Sequence, residues 1–275
     1  MFEIPKISQT TSLGNNNSQV GLQYNHEEHH HYGLSPADAT SMAFAMFREY
    51  YPQLRQEALE SLDQMVTEKL QRVPPEYIVP PTARITIPAL QNASITEEQD
   101  VRELYANLLV NSMNEVVKNG VHPGFVGIIN QLSPDEAKIL RYMSAHNRIA
   151  TVNLVIVYEP GGRVPYLKDF TDILQTVGCE YPLESEKYVD NLVRLGLLRR
   201  SVNEWLVDKS RYESIKNNPY LTQLKAGAEK ALLGAENYKK LDIEERFVDL
   251  TSYGKSFCAV CLGITKITKA PVEKE

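Results

Sequence analysis

In this 275-residue chain the groups that could do chemistry are a Gly-Lys-Ser tripeptide, three cysteines and six histidines. Gly254-Lys255-Ser256 has the form of the tail of a phosphate-binding loop, whose backbone amides wrap a phosphate that the lysine neutralises. Such a loop needs a glycine five residues earlier, and that position is Asp249, whose carboxylate repels phosphate. The tripeptide therefore reads as a helix start that packs Tyr253, Phe257 and Val260. Cys258 and Cys261 have C-x-x-C spacing, but a structural zinc needs two more ligands and no second pair exists. With Phe257 and Leu262 they read as buried core thiols, a redox pair being the minority reading. The cluster His26-Glu27-Glu28-His29-His30-His31 resembles a metal tract, yet it lacks the H-E-x-x-H spacing and its flanks are not helical. Serine hydrolase elbows, paired catalytic carboxylates and dinucleotide loops are not visible in the sequence. A catalytic reading needs a pocket that gathers His122, His146 or several carboxylates. The expectation is a protein with no catalytic residue, no metal site and no cofactor.

The composition sets the context for these residues. An apolar fraction of 43% with 23% charged residues is enough to bury a core, and the length suits one or two domains. No run approaches the roughly 18 apolar residues of a spanning helix, so no membrane insertion is expected. Met1 to Lys6 lacks the pattern of a secretory signal, and the cysteines are too few for a disulfide framework. Both features point to the cytoplasm. The formal charge of −6 is unevenly spread. Residues 1–132 carry eight basic and fifteen acidic side chains, whereas residues 133–275 carry twenty-one and twenty. Neither half has the basic footprint of a phosphate-binding protein, so nucleic acid is an unfavoured partner.

The elements that must position these groups begin late. Residues 1–35 read as a disordered leader, because the Ser-, Thr-, Asn-, Gln- and Gly-rich tract cannot repay the entropy of ordering. Ser35-Pro36-Ala37-Asp38 reads as a helix start with Ser at the N-cap. An amphipathic helical arm over 36–72 carries the stripe Ala43, Phe47, Tyr51, Leu54, Ala58, Leu62 and Met65. Pro52 implies a kink or two abutting helices. The stripe is expected to pack on the rest of the chain or on a second copy. Residues 73–95 hold five prolines and read as an extended connector. Thr96-Glu97-Glu98-Gln99 reads as a capping box opening a helix that ends at Asn119-Gly120.

From Ser133 the order of elements carries the fold. Ser133-Pro134-Asp135-Glu136 is a second capping box, opening a helix to about His146. Thr151 to Tyr158 reads as a strand, Asp169 to Val177 as a short helix, and Ser185 as the cap of a helix to Leu195. Leu197–Arg200 and Glu204–Val207 read as a hairpin, residues 208–246 as a polar helical insertion, and Phe247–Leu262 as a strand entering a Thr251-capped helix. This order is that of a winged helix. The predicted fold class is mainly α (α+β), with a helical N-terminal arm, a helical region and a winged-helix-like C-terminal domain. The larger domain spans 96–275, and its winged-helix-like part spans 133–265.

A winged helix raises DNA binding, but residues 186–195 hold Glu186, Lys187, Asp190 and Arg194, with no net charge. Under the DNA-binding alternative, a transcriptional regulator, Arg194, Arg199 and Arg200 are the candidate contacts. Protein contacts are the favoured use, since fold does not set function.

The stretch from about Thr82 to Leu262 resembles the bacterial Abi-alpha family, a domain linked to abortive infection. The resemblance rests on Arg102-Glu103-Leu104-Tyr105-Ala106-Asn107-Leu108-Leu109 and Val121-His122-Pro123-Gly124-Phe125. It continues through Gln131–Ala137, Asn191–Leu198 and Leu250-Thr251-x-Tyr253-Gly254-x-x-Phe257. It implies a phage-defence protein and supplies no catalytic residues. In the leader, Asn15, Asn16, Asn17, Gln19, Val20 and Gly21 are similar to the Asn-rich core of bacterial amyloid signalling motifs. Such motifs stack strands in register with Asn and Gln ladders. The expectation is a non-enzymatic defence protein acting through protein contacts or self-assembly.

Overall fold

The structure, a computed structural model, describes residues 6–7, 22–23, 51–80 and 82–263. The chain divides into two units, residues 1–57 and 58–275. In the first, β1 (Lys6–Ile7) and β2 (Leu22–Gln23) pair antiparallel, with Lys6 opposite Gln23. The Asn15–Gly21 motif, the His26–His31 cluster and the Ser35 helix start lie outside the described residues.

The second unit is α+β. Helix α1 (Tyr51–Leu70) buries Ala58 and Leu62, and Met65 and Val66 pack against the same core. The apolar stripe is thus used within the chain from Ala58 onward. The Pro-rich stretch contains a helix, α2 (Ala83–Ala93), with Pro88 inside it. Ile85, Ala89 and Ala93 recur every four residues and are buried, and that burial outweighs the hydrogen bond Pro88 cannot donate.

Helix α3 (Gln99–Ser112) is buried almost all round from Leu104 onward. Its N-cap is Glu98, without a side-chain cap, so the Thr96 capping box does not form. The helix stops at Ser112 rather than at Gly120, because the chain beyond it pairs with the residues before α2. The Val79 amide donates to Met113 at 2.9 Å and the Glu115 amide to Tyr77 at 2.8 Å. Two asparagines on α3 face inward for a reason. Asn107 donates to the Cys261 carbonyl at 2.9 Å, and Asn111 to Val260 at 2.7 Å and Gly263 at 3.0 Å. They satisfy carbonyls that the end of a helix leaves without partners.

Helices α4 (Gly124–Ile129) and α5 (Pro134–His146) follow. The Ser133 capping box forms as predicted, with the Ser133 amide donating to Glu136 Oε2 at 2.7 Å. Strands β3 (Arg148–Tyr158) and β4 (Arg163–Phe170) make a hairpin, then come α6 (Ile173–Thr176) and α7 (Ser185–Arg194). Strand β5 (Leu198–Arg200), α8 (Ser210–Lys216), α9 (Pro219–Leu232), β6 (Tyr238–Leu250) and α10 (Ser252–Cys261) complete the described chain. The antiparallel sheet has the order β4-β3-β6-β5.

Strand β4 is absent from the sequence reading, since its Arg, Pro, Lys and Asp conceal any alternation and its first four residues are exposed. Leu198–Arg200 pairs with Val248–Leu250 of β6, not with Glu204–Val207. The expected hairpin is thereby corrected: residues 203–207 form no strand. Long-range pairing cannot be read from local pattern, and β6 offers the longer edge. One face of the sheet (Val152, Leu154, Ile156) packs on Tyr212, Ile215 and Leu221 of α8 and α9. A separate helical core joins α1 to α5 with α7 and α10.

Candidate functional site

A cleft of about 450 Å³ lies where three segments meet. Asn130–Ser133 and the start of α5 form one wall, Glu180 and Tyr181 a second, and Lys187, Tyr188 and Asn191 of α7 the third. Asp135 and Glu136 at its floor are both buried. Asp135 sits in the first turn of α5 and reaches the loop before α7. Its Oδ2 accepts the Glu180 amide at 2.9 Å, the Tyr181 amide at 3.3 Å and the Tyr188 hydroxyl at 2.8 Å. Its Oδ1 accepts Glu180 again at 3.0 Å and Lys138 Nζ at 3.2 Å. Burial pushes this carboxyl up, but the donated bonds outweigh burial and hold it below its ordinary value. The Tyr188 hydroxyl is pushed up in turn, by burial and then by its bond to Asp135.

Glu136 is equally committed. Oε2 accepts the Ser133 amide and hydroxyl, at 2.7 and 3.0 Å, and Oε1 accepts Asn191 Nδ2 at 2.7 Å. Asn191 also donates to the Gln131 carbonyl at 3.0 Å. The two carboxylates therefore clamp α5, α7 and the loop between α6 and α7 together. Their acceptor positions are filled by protein donors, which suits a clamp better than a general acid and base pair.

The arginines of the DNA-binding alternative are likewise taken. Arg194 donates to Asn191 Oδ1 at 2.6 Å and to Gln131 Oε1 at 3.0 Å. Arg199 donates to Asp249 at 2.5 Å and lies 3.5 Å from Glu204. Arg200 donates to Asp169 at 2.7 Å and also to Asp190. Lys168 of β4 pairs with Glu186 of α7 at 2.7 Å. The polar side of α7 is thus tied to β4 and β5 through Glu186 and Asp190. Asp169 is buried, which pushes its carboxyl up, and Arg200 opposes this by hydrogen bond and charge.

Asp249, the residue in the place of the missing loop glycine, is buried between two arginines, with Arg148 at 2.5 Å. Gly254 has a packing reason for being glycine. A Cβ there would lie 2.1 Å from the Leu197 carbonyl oxygen. Thr251 caps α10 by accepting the Gly254 amide at 2.8 Å. Cys258 and Cys261 are buried free thiols. Burial pushes Cys258 up to about 12 and Cys261 well above its usual value, which opposes thiolate chemistry. Among the described residues no three His, Cys, Asp or Glu side chains gather as a metal site. His122 accepts the Gly124 amide at 3.0 Å and abuts Tyr253, while His146 stacks on Tyr142. Neither lines the cleft.

Local spacing did not reveal the clamp. Asp135 and Tyr188 are separated by 53 residues, and the sequence shows Asp135 only as part of a helix start. No helix among the described residues is long and apolar enough to cross a membrane.

A family model described as abortive infection alpha matches residues 54–261. No curated protein matches the chain. Among solved structures it is similar to an uncharacterized protein from the hydrocarbon-degrading marine bacterium Alcanivorax borkumensis SK2. The two share 17% identity over 50% of this chain and 92% of the other, with a TM-score of 0.34.

Proposed function

The chain belongs to the abortive infection alpha family, and from that membership we propose a cytoplasmic phage-defence protein that works through protein contacts or self-assembly, without turning over a substrate. The observation that carries the contact reading is the engagement of Arg194, Arg199 and Arg200. Each is bound to a carboxylate or amide of its own chain. A DNA reader needs such cations free for phosphates and base edges. The order β3-β6-β5, with α5 before β3 and α7 before β5, supports a winged-helix-like module. On this reading β4 and the carboxylates of α7 close the module on itself.

Phage plating on cells with and without the gene tests the defence role. Fewer plaques, with loss of the infected cells, are expected. Titration of the purified protein against duplex DNA at low salt tests the contact reading. A flat curve is expected, and binding that weakens steeply with salt would favour the regulator. A peptide of residues 12–32 tests the amyloid component, and a soluble, thioflavin-negative peptide removes it.

A further inference from the structure

We draw no further inference here: the strongest candidate, the cleft between the start of α5, the Glu180–Tyr181 loop and α7, belongs to the site already described, and its buried carboxylates are filled by donors of this chain.

Discussion

At the scale of single residues, Asp135 is the most connected carboxylate of the cleft. Its carboxyl is held below its ordinary value, so its contribution to stability is complete above the unfolded pKa of about 4 and fades as pH falls through the lower folded value. Asp135→Asn keeps the shape but replaces one acceptor oxygen with a donor facing backbone amides. A loss of about 2–3 kcal/mol at neutral pH is expected, with a flatter decline of stability toward acid, both read by denaturant titration at several pH values. The deficit of Arg200→Leu also shrinks toward acid, but over a higher pH range. The substitution strands the buried Asp169, whose carboxyl already lies above its ordinary value. Stability should fall by about 3 kcal/mol at neutral pH and the deficit should shrink as pH drops and Asp169 takes up a proton. The same titration series checks it.

Elements were legible where the signal is local. Ser133 and Thr251 cap the helices they were expected to cap, because an N-cap is a contact over three residues. The β-branched run before Tyr158 is a strand for a similar reason. What escaped the sequence was set by distant partners: β4 by β3, the end of α3 by Ile78, and the site by the meeting of Asp135 with Tyr188. Gly254 shows how a motif can be right in position and wrong in meaning. Its glycine serves the approach of α10 to the Leu197 backbone, not a phosphate. Gly254→Ala should therefore cost about 3 kcal/mol, since the added Cβ meets a backbone oxygen that cannot swing away. Gly127→Ala is the contrast. It lies in α4 with nothing within 4 Å of the added carbon, and should be neutral or stabilising by about 0.5–1 kcal/mol. Thermal unfolding of the two variants separates close packing from helix propensity.

At the scale of the whole molecule, the neutral C-terminal half is one in which cations and carboxylates hold elements to one another. The proposed self-assembly through Asn15 to Gly21 makes a demand of its own. In-register stacking needs every backbone donor along the tract. If the tract assembles in this way, Val20→Pro should abolish thioflavin-positive fibres of the full chain while leaving the thermal midpoint unchanged. Thioflavin fluorescence across protein concentration, beside thermal unfolding, checks the variant. Fibres that form equally in Val20→Pro, or no fibres in the wild type, would remove the tract from the proposed assembly.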